Sequence, residues 1–147
     1  MGSRDRELQE VQVMTEEQYV AKCEELLSSE LPVESPDELM KAAVQVESLG
    51  YLATKFQAQA EKELRHADVE LLAARAEAYN TVEGKTAPER QAKVESLVRR
   101  QVEAVAAYES RIKFYRNLSA LIDRRVGLAQ STLANFSAQI KAGIITS

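Results

Sequence analysis

Two stretches without an internal proline, Asp37–Ala87 and Glu89–Ser147, carry an apolar residue at nearly every third or fourth position. Steps of three and four keep side chains on one face of an α-helix, which has about 3.6 residues per turn. The pattern therefore predicts two very long amphipathic helices. The first stripe comprises Leu39, Ala42, Val46, Leu49, Ala53, Phe56, Ala60, Leu64, Ala67, Leu71, Ala74 and Ala78. The second comprises Val94, Val98, Val102, Val105, Tyr108, Ile112, Tyr115, Leu118, Ile122, Val126, Ala129, Leu133, Phe136 and Ile140.

Three capping signals divide the chain. A Thr-Glu-Glu-Gln box at residues 15–18 predicts a short helix over roughly residues 16–29, and Ser-Pro-Asp-Glu at 35–38 predicts the start of a helix that runs to about Val82. Gly84 and the Thr-Ala-Pro-Glu sequence at 86–89 predict a turn followed by one last helix over about residues 87–142. Because this turn is short, we expect the two long helices to pack antiparallel.

These signals predict an all-α fold with two parts. Residues 1–34 form an acidic N-terminal arm with a short helix, and residues 35–147 form a long antiparallel helical hairpin. The stripes contain many Ala residues, so one hairpin buries little apolar surface, and we expect the protein to self-associate through its helices. Val105, Ile112 and Phe136 are the large stripe residues expected to matter most for that association.

Charge is distributed unevenly along the sequence. Residues 1–40 hold 11 Asp or Glu and 3 Lys or Arg, whereas residues 41–147 hold 12 and 16. This asymmetry indicates an acidic arm and a mildly basic body. Ordinary charged helix surfaces would give the same counts, and that interpretation stays open.

The sequence lacks the residue sets of common catalytic and metal sites. Glu63 and His66 have the Glu-x-x-His spacing of di-metal bundles, but such sites need two of these motifs and the chain has one His. Cys23, the one cysteine, lies on an apolar helix face and is expected to be a buried small hydrophobe in a reducing compartment. No apolar run reaches the ~18 residues that span a bilayer. We therefore expect a cytoplasmic protein without a cofactor or enzyme activity.

The predicted last helix has a basic character, with ten Lys or Arg and five Asp or Glu. Arg99, Lys113 and Arg124 fall opposite the apolar stripe on a helical wheel, and Arg100, Arg111 and Arg125 lie to one side of it. An outward basic face can follow phosphates in a salt-sensitive manner, and Phe114 or Tyr79 could stack on a base. The alternative is a solvated helix face with ordinary interface aromatics.

Two segments carry a resemblance to a known family. Residues 72–79, Leu-Ala-Ala-Arg-Ala-Glu-Ala-Tyr, resemble the Leu-Lys-Ala-Arg-Leu-Asp-Tyr-Tyr segment of the phage recombination-mediator (UvsY-like) family, and residues 120–125, Ala-Leu-Ile-Asp-Arg-Arg, are similar to a later stretch. The resemblance covers roughly residues 40–140. It implies a small, helical, ring-forming protein that binds single-stranded DNA and helps a recombinase displace single-strand-binding protein. Arg75 would be the basic DNA contact and Tyr79 its aromatic neighbour, while Ala73 stands where the family has Lys.

Two functional hypotheses follow. The leading one is a cytoplasmic, homo-oligomeric recombination mediator that binds single-stranded DNA and assists recombinase loading; its acidic segment 1–40 would contact the recombinase or single-strand-binding protein. The alternative is a coiled-coil adaptor or assembly scaffold that binds protein and no nucleic acid. The predicted nucleic-acid-binding residues are Arg75, Tyr79, Arg99, Arg100, Arg124 and Arg125.

Overall fold

The computed structural model describes residues 14–143, and its four regular elements in that range are all α-helices. Helix α1 spans Glu16–Ser28, α2 spans Pro36–Thr81, α3 spans Ala87–Leu97 and α4 spans Arg99–Lys141. The all-α class and the short first helix are confirmed, and two long helices pack closely. The predictions for residues 1–13 and for the apolar end, 144–147, lie outside the described residues. None of these four helices is long and apolar enough to span a membrane.

The predicted capping residues form hydrogen bonds at the N-terminal ends of the helices. The Thr15 side chain accepts a hydrogen bond from the Gln18 amide at 3.2 Å, and the Thr15 amide donates to the Gln18 side chain at 3.1 Å. Ser35 and Thr86 each accept from the backbone amide three residues later, at 3.4 Å and 3.2 Å. These bonds satisfy amides that have no partner within the helix, so α1, α2 and α3 begin where the sequence predicts.

The predicted single last helix is interrupted at Val98. This residue adopts φ −98° and ψ 10°, which ends α3 and leaves α4 to begin at Arg99. The Val98 amide still donates to the Val94 carbonyl at 3.0 Å, and its own carbonyl accepts from the Val102 amide at 3.1 Å. Val98 is buried in the same apolar cluster as Leu71, so packing holds the local distortion in place. Gly127, the expected bend, lies inside α4.

The chain forms two compact units, and the first contains residues 1–56 and 116–147. Its described part joins α1, the start of α2 and the end of α4. The buried Tyr19 hydroxyl of α1 donates to the Leu49 carbonyl of α2 at 2.6 Å, and the Tyr19 ring lies 5.3 Å from that of Phe56. Ile122 of α4 is also buried and lies against Gly50 of α2. These contacts define a three-helix core.

The second unit, Gln57–Tyr115, is the tip of the predicted hairpin. Its core contains Leu71 and Ala78 of α2, Val94 of α3, and Val98. Ion pairs join Arg75 to Glu95 and Glu63 to Arg111, so residue numbers rise along α2 while they fall along the opposing helices. The helices of this unit therefore run antiparallel, as the short turn predicts.

Much of the stripe proposed for self-association is used inside the chain. Ile112 and Tyr115 of α4 are buried, with 8% and 1% of their surface exposed, and Val105 packs against the core of the second unit. Self-association through these residues stays a prediction. A second copy would need a different, exposed face if the packing of one chain is kept intact.

The two mid-helix glycines give a matched test of packing in the first unit. A Cβ at Gly127 would meet nothing within 4 Å, so Gly127→Ala should raise the free energy of unfolding by about 1 kcal/mol through helix propensity. A Cβ at Gly50 would make an ordinary van der Waals contact with the Ile122 side chain at 3.4 Å, so Gly50→Ala should gain at least as much. Urea unfolding followed by circular dichroism measures both. A net loss of stability in Gly50→Ala would contradict the packing described.

Candidate nucleic-acid interface

The six predicted nucleic-acid-binding residues fall into the two compact units. Four belong to the second unit: Arg75 and Tyr79 on α2, and Arg99 and Arg100 in the first turn of α4. Arg124 and Arg125 lie on the part of α4 that belongs to the first unit. The two groups are therefore separate surfaces, and each has its own local environment.

Arg75 forms an ion pair with Glu95 across the hairpin. Its Nε and Nη2 atoms donate to the two carboxylate oxygens at 3.0 Å and 3.2 Å, and both side chains are about two-fifths exposed. This fork-to-carboxylate geometry is the strong form of an Arg–Glu pair. The negative charge of Glu95 offsets the positive charge of Arg75. Arg75 therefore attracts a phosphate less strongly than the sequence suggests. The sequence did not indicate this partner, because the two residues are 20 positions apart.

Arg99 and Arg100 are exposed at the start of α4, and neither forms a hydrogen bond or ion pair within residues 14–143. Arg99 follows Glu95 by four residues, about one helical turn, and Tyr79 follows Arg75 by the same interval. Since Arg75 and Glu95 are level with each other, these residues occupy roughly 12 Å of the hairpin length. The predicted residues of the second unit therefore lie within one short stretch along the hairpin axis, on both sides of the turn.

The second unit as a whole is not basic. Residues 57–115 contain ten Asp or Glu and ten Lys or Arg. The excess of basic residues predicted for 41–147 belongs to residues 41–56 and 116–147, outside this unit. Any phosphate attraction at the tip must therefore come from local groups such as Arg99 and Arg100, since the net charge of the unit supplies none.

Arg125 holds the C-terminal end of α1. Its Nη1 donates to the Leu27 carbonyl at 3.3 Å, and its Nη2 donates to the carbonyl and to the hydroxyl of Ser29. The last carbonyls of a helix lack partners within the helix, so a guanidinium there satisfies them and meets the negative end of the helix dipole. Nearly one hundred residues separate these groups in sequence, so the sequence did not indicate this contact. Neighbouring Arg124 is exposed and has no such partner among the described residues.

Two exposed aromatic side chains can be compared as stacking surfaces. Tyr79 is half exposed, at 50%, on the last turns of α2. Phe114 is 44% exposed and makes an edge-to-face contact with Tyr115, with ring centroids 5.2 Å apart. Tyr79 lies in the same stretch of hairpin as Arg75 and Arg99.

Residues 14–143 contain no group of three or more His, Cys, Asp or Glu side chains that could hold a metal ion. His66 is exposed on α2, in the environment expected of a surface residue.

Comparison of the chain with protein-family models, with curated proteins and with solved structures finds no match in any of the three. The resemblance to recombination mediators thus stays a prediction from the two short segments.

The adjacent arginines of the first unit give a matched pair of variants. Arg125→Ala should lower the free energy of unfolding by about 1–3 kcal/mol, because it leaves helix-end carbonyls without a charged donor. Arg124→Ala should change it by less than about 0.5 kcal/mol, as expected of an exposed position. Urea denaturation compares the two. Equal effects at both positions would refute a structural role for Arg125.

Cys23 is fully buried beside Tyr19. Burial raises the pKa of its thiol, because the thiolate would lose its hydration. The negative charge of the nearby Glu24 adds to this rise. We predict that a thiol reagent at pH 8 reacts with the native protein at least about tenfold more slowly than with the protein in urea. Reaction at the same rate in both conditions would show that the α1 packing opens readily.

Proposed function

We propose that this chain is a single-stranded-DNA-binding recombination mediator, a homo-oligomeric accessory protein that assists recombinase loading. The observation that carries this proposal is the pair Arg99–Arg100, exposed and without an acceptor among the described residues, on the same stretch of hairpin as Arg75 and Tyr79. The resemblance of residues 72–79 to the mediator family also supports it, since this segment of α2 contains Arg75 and Tyr79.

The proposed mechanism depends on phosphate attraction and on the number of weak binding sites in the homo-oligomer. Arg99 and Arg100 supply two positive charges per protomer, a weak site alone, and a homo-oligomer multiplies such contacts into useful avidity. Tyr79 offers a ring face on which any base can stack, which suits binding without sequence preference. The acidic residues near the N-terminus would contact the recombinase or single-strand-binding protein, keeping DNA and protein contacts on different segments.

Glu95 sets the strength of this site. Its carboxylate holds Arg75, so an approaching phosphate must either share the guanidinium or displace the carboxylate. Removing the charge of Glu95 frees Arg75 and takes away a repelling group at the same time. The ion pair therefore predicts that wild-type binding is weak and that loss of the Glu95 charge strengthens it.

A second candidate is a coiled-coil adaptor or assembly scaffold that binds protein alone. The balanced charge of residues 57–115 favours it, as do the protein contacts that occupy Arg75 and Arg125. In this case Arg99 and Arg100 are solvated surface residues, and the long helices act as a spacer with partner-binding faces.

The two candidates differ in their response to salt. Fluorescence anisotropy with a labelled oligothymidine at about 50 mM and about 200 mM salt should show binding by the mediator that weakens steeply. Arg99→Ala/Arg100→Ala should reduce affinity by about tenfold and lower the salt slope by roughly 1.4, while Glu95→Gln should raise affinity. Lys41→Ala/Lys55→Ala is the control, because it removes the same charge from exposed positions of α2 in the other unit.

The outcome decides between them. If the wild type fails to bind at low salt, or if the Arg99/Arg100 and Lys41/Lys55 double variants lose affinity equally, the mediator hypothesis is wrong and the adaptor remains. Circular dichroism spectra of all variants should be unchanged, because each altered Arg or Lys is exposed.

A further inference from the structure

A groove lies beside the tip of the hairpin, between the end of α2 and helix α3. Its volume is about 460 Å³, and it is open to solvent along one side. All of its lining residues belong to the second unit. They are Thr81, Val82, Glu83, Lys93, Ser96 and Leu97. Sites for small molecules typically measure about 300–1,000 Å³, so the groove has room for one nucleotide-sized group.

One part of the groove lining is apolar. Leu97 is 62% exposed there, although the next residue, Val98, is buried in the core of the second unit. Val82 is partly buried and packs against the same core. Leu97 therefore offers an apolar contact to a ligand, and Val82 anchors the opposite side of the groove to the fold.

Hydroxyl groups lie on both sides of the groove. The Thr81 hydroxyl donates to the Ala78 carbonyl at 3.1 Å, so its oxygen can still accept a hydrogen bond. The Ser96 side chain is exposed and forms no hydrogen bond within residues 14–143. Because a hydroxyl both donates and accepts, it can meet either kind of group on the edge of a nucleobase.

Lys93 joins the two sides of the groove. Its Nζ donates to the Glu83 carbonyl at 2.7 Å and lies 3.7 Å from the Glu89 carboxylate. Glu83 follows the end of α2, whereas Lys93 belongs to α3, so this bond fixes the spacing of the two sides before any ligand binds. A preformed site loses less conformational freedom on binding than a site that its ligand must order.

Arg100 borders the groove. It follows Leu97 by three residues and Ser96 by four, intervals that keep residues on one helix face. The backbone hydrogen bonds made by the Val98 amide and carbonyl are kept across the break, so this relation holds approximately. Long side chains on a helix lean towards its N-terminus, which brings the exposed Arg100 guanidinium towards the groove.

Arg99 lies on a different side of the hairpin. It follows Glu95 by four residues, and Glu95 pairs with Arg75. Glu95 and Leu97 are two residues apart, about 200° around the helix. The two adjacent arginines therefore have different neighbours: Arg99 is near the Arg75–Glu95 ion pair, and Arg100 is near the groove.

We propose that this groove holds one nucleobase of the bound single strand, while Arg100 binds the phosphate next to that base. The proposal rests on the proposed function and adds a base site to it. An apolar contact on one face and hydroxyls at the edge accept any base, as binding without sequence preference requires. A peptide side chain could occupy the apolar part, but it would leave the neighbouring Arg100 without a partner.

Glu83 is the one acidic residue among the six that line the groove, and its side chain is exposed. Its carboxylate repels a phosphate bound at Arg100, which keeps wild-type binding weak. Glu83→Gln should therefore raise the affinity for single-stranded DNA by about two- to threefold.

Two strands of equal length, an oligothymidine and an abasic strand with the same phosphates, test the base site by fluorescence anisotropy. Leu97→Ala should weaken oligothymidine binding about fivefold and leave abasic-strand binding unchanged, because it removes an apolar contact and no charge. Arg100→Ala should weaken both and lower the salt slope by roughly 0.7. Leu128→Ala alters another exposed Leu, on α4 in the other unit, and should change neither.

Thiol protection measures occupancy of the groove directly. Because Cys23 is buried, Ser96→Cys supplies one exposed thiol among the described residues. Saturating oligothymidine should slow its alkylation at least about fivefold, and the abasic strand should slow it less. Ser131→Cys, exposed on α4 in the other unit, is the matched control and should react at the same rate with and without DNA.

Three results would overturn the base site. They are equal effects of Leu97→Ala and Leu128→Ala, equal loss of affinity of Leu97→Ala for the two strands, and no protection of the Ser96→Cys thiol. If the wild type still binds DNA in a salt-sensitive manner, these results leave the proposed function intact, whereas a wild type that binds neither strand refutes both. Unchanged circular dichroism excludes unfolding, and Ser96→Cys tests the groove even if Leu97→Ala fails to fold.

Discussion

The close packing of α2 against the helices that run beside it is the interaction on which this structure depends. Small residues are buried along this contact, among them Ala53, Ala60, Ala67, Ala78 and Ala129. Ala side chains let helix backbones approach closely, but each buries little area, so stability must come from the length of the contact and from a few larger residues such as Leu39, Leu49 and Tyr115. Long helices follow from this, because a short contact of the same kind would not offset the loss of chain entropy.

The narrowness of this apolar contact also explains where the charged side chains form ion pairs and hydrogen bonds. A narrow apolar stripe leaves its edges partly exposed, and long side chains from neighbouring helices meet there. Arg75 with Glu95 and Arg111 with Glu63 are such edge pairs, and Arg125 satisfies the end of α1 in the first unit. Partly exposed pairs contribute modestly to stability, but they fix which residues are level with each other and reduce the number of arginines available to a ligand.

What remains on the surface of the second unit is of two kinds. Arg99 and Arg100 are positive groups without an acceptor in the described chain, and Val69 and Leu72 are apolar side chains exposed on α2. These two sets of residues lie on different helices.

The sequence by itself determined the helical class, the starts of the first three helices and the turn, because these follow from local rules: apolar spacing, capping side chains and the position of Pro and Gly. It also identified the buried faces, including Cys23 and Ile112. Tertiary structure decided the break at Val98, where packing against Leu71 overrides a pattern that favours one continuous helix. It also decided which arginines are available, since Glu95 and the end of α1 lie 20 to nearly 100 residues from Arg75 and Arg125, and only the fold brings such distant groups within hydrogen-bond distance.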